Sequence, residues 1–287
     1  MFKRPLFTQA RSHSFIAGTA TAAALILSPL VASAAEMLVS TTNTNKLLMF
    51  SSDRPGRVKS IRLKGLQPNE RLLGLDMRPA NGKVYALGST SQIYIIDFDR
   101  KMALPIGGPF TPALRGDFFG FDFNPQADRI RITSDANQNL RVNPDTGAVA
   151  GVDTDLAYAT GDSGFAQDPG AVGAAYTNND TDPATPTTLY NIDATRDTLV
   201  IQDPPNAGTL KTVGPTGVTT ANSLVAGFDI AASDGKAYAI LRSLDDYDGD
   251  NRSNLYTIDL ATGTATFVGK IGGIERVTSL ATLGPTN

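Results

Sequence analysis

One short pattern, apolar-Gly-x-Asp-apolar, returns along this chain at intervals of roughly 50 residues, the length of a four-stranded propeller blade. It reads Leu73-Gly74-Leu75-Asp76-Met77, Phe119-Gly120-Phe121-Asp122-Phe123 and Ala226-Gly227-Phe228-Asp229-Ile230. Val172-Gly173-Ala174-Ala175-Tyr176 aligns with these without gaps, and Thr278-Ser279-Leu280-Ala281-Thr282 is a degenerate fifth copy. A unit this short cannot bury both its faces alone. Stacking copies side by side buries them.

A second apolar run follows each of the first four: Ile93-Tyr94-Ile95-Ile96-Asp97, Leu140-Arg141-Val142-Asn143, Leu189-Tyr190-Asn191-Ile192-Asp193 and Leu255-Tyr256-Thr257-Ile258-Asp259. Their length and alternation are those of strands. Asn143-Pro144-Asp145-Thr146-Gly147 and Asp259-Leu260-Ala261-Thr262-Gly263 supply a side-chain acceptor and then a glycine, which is hairpin chemistry. The stretch from Met37 to Leu63 holds the later strands of a unit without its Gly-x-Asp strand, and Val277 to Leu283 holds that strand and then stops. Joined, the two ends complete a fifth unit. The expected fold is therefore an all-β, five-bladed β-propeller with N-terminal strands completing the last blade. A solenoid would not need complementary partial repeats at its ends, and closure removes a free sheet edge.

The chain starts Met1-Phe2-Lys3-Arg4 and continues into an apolar run from Phe15 to Val31 that ends in Ala32-Ser33-Ala34. That run is shorter than the roughly 20 residues of a spanning helix, and the small-x-small ending is what a signal peptidase accepts. Residues 1–34 are read as a signal peptide and 35–287 as a single propeller domain. The expected location is exported, periplasmic or extracellular, with no membrane insertion after cleavage. Cleavage removes Lys3, Arg4, Arg11 and His13 but no acid, so a net charge of −3 becomes −6. The mature chain then has neither Cys nor His. No basic cluster stands out, which argues against nucleic acid as a partner. Tryptophan is absent too, and with it the usual platform for sugar stacking.

Gly120-Phe121-Asp122-Phe123-Asn124-Pro125, the run Asp128-Arg129-Ile130-Arg131-Ile132 through Ser134-Asp135, and Gln138 to Gly147 together resemble a bacterial family known as domain of unknown function 4394. Gly173 to Asn178 and Gly208 to Pro215 are similar to the same family. The resemblance runs from about Met37 to Leu283. It implies export and a repeat β fold, and it brings no catalytic residue with it. The acidic stretch around Asp248 departs from the family pattern.

Without Cys or His, a Ser-His-Asp triad, a Cys-His pair and a His-ligated transition metal are all excluded from the mature chain. No phosphate-cradling Gly-rich loop is present. Carboxylates remain. Asp76, Asp122 and Asp229 share one repeat position, and on an innermost strand they would approach the ring axis as ligand-binding candidates. A pair about 5–10 Å apart could serve a glycosidase. The simpler role is to accept hydrogen bonds from turn or strand amides and so hold blade geometry. Arg129, Arg131 and Arg141 lie at strand spacing and could clamp a carboxylate or phosphate. Pairing with Asp128, Asp135 and Asp145 is the structural alternative.

The sharpest local motif is Asp245-Asp246-Tyr247-Asp248-Gly249-Asp250-Asn251-Arg252-Ser253-Asn254. Asp246, Asp248, Asp250 and Asn254 offer alternating oxygen donors of the kind that hold Ca²⁺, as a structural ion. The leading functional expectation is a non-catalytic, monomeric propeller. It would bind an unknown ligand, a protein or an envelope polymer at one mouth of the ring. The alternative is a carbohydrate-active hydrolase that uses the channel aspartates.

Overall fold

The computed structural model describes residues 1–2, 34–182, 184–220, 225–242 and 253–286. The chain divides into Met1–Ser33 and Ala34–Asn287, and the fold is that of the second unit. Strands β1 (Glu36–Thr41), β2 (Lys46–Ser51) and β3 (Lys59–Arg62) come first. Blade 1 follows as β4 (Leu72–Met77), β5 (Val84–Gly88), β6 (Ile93–Asp97) and β7 (Met102–Ile106). Blade 2 is β8 (Phe119–Asn124), β9 (Arg129–Ser134), β10 (Asn139–Val142) and β11 (Val149–Val152). Blade 3 contains β12 (Ala157–Tyr158), β13 (Ala171–Tyr176), β14 (Leu189–Asp193), β15 (Thr198–Gln202) and β16 (Thr209–Pro215), with β12 added in parallel outside β16. Blade 4 is β17 (Val225–Ile230), β18 (Ala237–Leu241), β19 (Asn254–Ile258) and β20 (Ala265–Lys270). The last strand, β21 (Ala281–Pro285), pairs back onto β1 to give blade 5 in the order β21-β1-β2-β3.

The fold is thus the five-bladed propeller that the repeats imply, and the two chain ends do share a blade. Val39 pairs with Ala281 and Leu38 with Thr282 across that seam. The Thr41 amide donates to Ser279 Oγ at 3.0 Å, and the Thr278 amide to the Thr41 carbonyl at 2.9 Å. Beyond the strand, the Thr286 amide reaches the Ala35 carbonyl at 2.7 Å. Leu38, Val39 and Leu47 are fully buried, because the sheet they complete is covered by a neighbour on each side.

Apolar residues that alternate along each strand point into the gaps between blades. Four of the five gaps are filled this way. Tyr85, Leu87 and Ile93 meet Phe121, Phe123 and Ile130 between blades 1 and 2, and Val172 and Ile192 meet Phe228 and Ala239 between blades 3 and 4. Leu38 and Phe50 meet Tyr238 and Ile240 between blades 4 and 5, and Val39 and Leu47 meet Leu75 and Ala86 between blades 5 and 1. Between blades 2 and 3 the buried contact is largely polar.

The five inner strands are β4, β8, β13, β17 and β21, and the glycine of the repeat is where they touch. Gly74, Gly120, Gly173, Gly227 and Ser279 all line one residual void of only about 10 Å³. The degenerate fifth copy is therefore in register with the other four. A Cβ on Gly74 would sit 2.5 Å from the Cβ of Phe121, and one on Gly120 would sit 2.7 Å from the backbone nitrogen of Ala174. These glycines let each inner strand lie directly against the next, and that contact closes the channel.

Two outcomes are expected. Deleting residues 37–52 strips nearly all of β1 and the whole of β2 from the shared blade, so thermal unfolding followed by circular dichroism should lose its cooperative transition. A truncated chain that melts like the full one would contradict closure of the ring through this seam. Gly120→Ala should lower stability by about 1–3 kcal/mol through overpacking against a backbone that cannot yield, read as a lower denaturant midpoint.

Candidate functional site

Asp76, Asp122 and Asp229 sit two residues beyond the repeat glycine on β4, β8 and β17, and so on the same strand face. All three are buried, with exposures of 3%, 1% and 1%. Each offers an oxygen within 4.8 Å of the others, so they converge on the ring axis. The corresponding residues of blades 3 and 5 are Ala175 and Ala281, both fully buried.

Each aspartate fastens its blade to the next one. Asp76 Oδ2 accepts the Phe123 amide of blade 2 at 2.7 Å, and Asp122 Oδ2 accepts the Tyr176 amide of blade 3 at 2.7 Å. Asp229 Oδ2 accepts the Thr282 amide of blade 5 at 2.6 Å. The second oxygen follows a rule set by the neighbouring blade. Asp76 and Asp229 each take the amide of their own next residue, Met77 and Ile230, at 2.6 Å. Those amides are available because the preceding blade carries alanine. Asp122 is preceded by a blade that carries aspartate, and the Phe123 amide has gone to Asp76. Asp122 Oδ1 is left buried without a hydrogen-bond partner.

The electrostatics follow from this crowding. Burial pushes the Asp76 carboxyl well above the usual carboxylate range, and the Asp229 charge adds to the effect against backbone hydrogen bonds that oppose it. Asp122 is raised in the same way, by burial and then by the charges of Asp76 and Asp229. Burial pushes Asp229 up to about 7 despite its amide bonds from Thr282 and Ile230. Three carboxyls in a dry site cannot all carry charge without a compensating proton or cation.

The geometry offers little to a glycosidase. All three carboxyls are buried, and each is tied to a backbone amide of the next blade. The glycine layer beside them leaves no space for a sugar ring.

The arginine candidates separate. Arg131 is 1% exposed and spends its donors within the protein. Its Nη1 reaches Asn139 Oδ1 at 2.6 Å and Asp153 Oδ2 at 2.7 Å, and its Nη2 reaches Asn206 Oδ1 at 2.7 Å. Arg141 grips the same Asp153 with two bonds of 2.8 Å. Asn139 and Gln202 continue this network to the Pro205 carbonyl, and Thr133 meets Asn191 across the gap. This is the polar filling between blades 2 and 3, so Arg131 is not placed to clamp a ligand. Arg129 donates to the Asp128 carbonyl at 2.8 Å.

The acids expected to pair with these arginines have other partners. Asp128 and Asp145 both belong to Arg78, at 2.7 Å from its Nε and 2.6 Å from its Nη1. Asp135 accepts the amides of Asp117 and Phe118. Arg78 and Asp153 were not singled out in the sequence, since each is one charge among many until the blades are set side by side. Asp246, Asp248 and Asp250 lie outside the described residues. Asn254, the last of the calcium candidates, opens β19 and is buried, with Oδ1 lacking a hydrogen-bond partner.

At the mouth where the inner strands begin, a cavity of about 260 Å³ opens between blades 5, 1 and 2. Arg71 and Arg276 border it with Asp117, and Leu73, Phe118 and Phe119 form its apolar wall. The Arg71 side chain has no hydrogen-bond or ion-pair partner among the described residues. Beneath this cavity the glycine layer seals the ring. Leu73 and Phe119 open two copies of the repeat motif, but Arg71, Asp117, Phe118 and Arg276 were marked by no motif, because they come from three separate segments.

A closed ring of five sheets, four of four strands and one extended to five by β12, with acids on its axis and a blind cavity at one mouth, defines the chain as a five-bladed β-propeller. The model of the family domain of unknown function 4394 matches residues 46–281, and the chain belongs to that family. Among curated proteins, none matches this sequence.

Asp153 provides a test of the polar interface. Burial alone would push its carboxyl up, but hydrogen bonds and charge from Arg141 and Arg131 outweigh burial and hold it below the usual value. A depressed pKa contributes stability that is present above the unfolded value of about 3.9 and lost as pH falls through the folded one. Asp153→Asn leaves Arg131 buried against a neutral partner. It should cost about 3–5 kcal/mol at neutral pH, and the deficit should shrink below pH of about 4 in urea melts. An equal deficit at all pH values would remove the ion pair as the cause.

Proposed function

We propose that this chain is an exported, non-catalytic propeller that binds a ligand or a protein partner at the mouth of its ring. The observation that carries this reading is the cavity bordered by Arg71, Arg276 and Asp117 over an apolar floor of Leu73, Phe118 and Phe119. It combines concavity, apolar surface and a few charged groups, as binding sites do. It also sits on loops held by a rigid scaffold, where recognition residues concentrate. With two guanidinium groups and one carboxylate at the rim, it suits a partner that presents an acidic group beside apolar surface.

Residues 1–34 act in this reading as an export signal, and the propeller works as a monomer in the periplasm or medium. Among the described residues no helix is long and apolar enough to cross a membrane. Calcium at Asp246, Asp248, Asp250 and Asn254 belongs to the same proposal as a structural ion. No observation favours the hydrolase alternative, given the burial and the amide bonds of the channel aspartates.

The test is a binding screen of the purified protein against acidic oligosaccharides, fatty acids and fractionated envelope polymer, followed by calorimetry on any hit. Arg71→Ala should weaken a true mouth ligand at least about 10-fold, since a charge-assisted bond contributes roughly 1.5–3 kcal/mol. Its melting temperature should stay unchanged. A hit whose affinity ignores both Arg71→Ala and Phe118→Ala would move the binding surface elsewhere.

A further inference from the structure

We propose that the acidic cluster on the propeller axis is a divalent-cation site, with calcium as its ion and Asp76, Asp122 and Asp229 as its protein ligands. This does not rest on the mouth cavity, which lies at the starting end of the inner strands, beyond the sealing glycine layer.

Two independent features point to an ion. The first is convergence: three carboxylates from three blades place oxygens within 4.8 Å of one another. That limit is twice a Ca–O distance of about 2.4 Å, so all three can share one coordination shell. Magnesium demands about 2.0–2.1 Å and near-ideal octahedral geometry. Each carboxylate is already tied to a backbone amide of the neighbouring blade, which resists that contraction.

The second feature is the orphan oxygen. Asp122 is 1% exposed, its Oδ2 is engaged by the Tyr176 amide, and its Oδ1 has no partner. A buried acceptor left unpaired is costly. The vacancy arises from the order of residues around the ring. Only where two successive blades both carry aspartate does the first take the amide that the second needs, and blades 1 and 2 are the one such pair.

The charge balance agrees. A single shared proton would serve two of the three carboxyls and leave the third, whereas Ca²⁺ cancels two charges and gives every carboxylate a ligand role. Alanine at positions 175 and 281 keeps the set at three acids instead of five, which a single divalent ion can hold. No basic side chain is among the groups that act most strongly on these carboxyls. Such an ion would tie blades 1, 2 and 4 together at the centre, beyond the reach of any one sheet.

The experiment compares thermal unfolding and bound calcium, by elemental analysis, for the purified wild type, Asp122→Asn, Asp229→Asn and Asp248→Asn. Each is measured after chelation and after return of millimolar calcium. The amide at 122 still accepts the Tyr176 hydrogen bond, so that variant keeps the inter-blade link. Expected are a calcium-dependent rise of about 5 °C or more in wild type and in Asp248→Asn. In Asp122→Asn and Asp229→Asn that rise should be sharply reduced, and one calcium fewer than in wild type should be bound.

Calcium that leaves with Asp248→Asn and stays with Asp122→Asn would overturn the proposal and place the ion in the acidic run instead. So would a wild type that binds no calcium while Asp122→Asn melts higher in all conditions, since the cluster then holds only a shared proton. If the axial variants do not fold, Asp248→Asn decides alone: one retained calcium supports the axial site, and none refutes it.

Discussion

Everything in this ring depends on five strands being able to lie directly against one another at the axis. A side chain at the point of contact would force neighbouring inner strands apart, and the blades with them. Glycine at four positions and Ser279 at the fifth remove that obstacle. Two residues further on, aspartate uses the closeness so obtained, reaching across to an amide of the next blade. The repeat motif is therefore one device with two parts, an approach and a latch.

The same device creates the site of greatest chemical interest. Latches of like charge that converge on an axis repel one another, and burial raises their proton affinity. Blades 3 and 5 escape by carrying alanine, and this pattern decides which amide serves which carboxylate. Asp122 Oδ1 is the acceptor that the arithmetic of donors leaves out. A scaffold requirement, repeated around a circle with two omissions, has produced an acidic centre able to hold an ion.

Away from the axis, four blade gaps close with aliphatic and aromatic side chains, and one closes with a buried guanidinium network. Arg131 and Asp153 lie at the centre of that exception, and Arg141, Asn139 and Gln202 complete it. A network of this kind is stable only when every member is satisfied. That makes the interface between blades 2 and 3 directional where the others are merely well packed, and it takes Arg131 out of reach of any ligand.

Much of the architecture was written in local pattern. The spacing of Gly74, Gly120, Gly173 and Gly227, the strand runs after them and the half-units at the ends were enough for five blades and their closure, because repeat period and strand alternation are one-dimensional properties. The three aspartates were likewise legible as a set. What each carboxylate bonds, the partners of Arg78 and Asp153, and the mouth formed by Arg71, Phe118 and Arg276 depend on residues brought together from different blades. Those pairings follow from the ring's curvature and the stagger between neighbouring sheets. No run of residues encodes either, so only the tertiary structure could decide them.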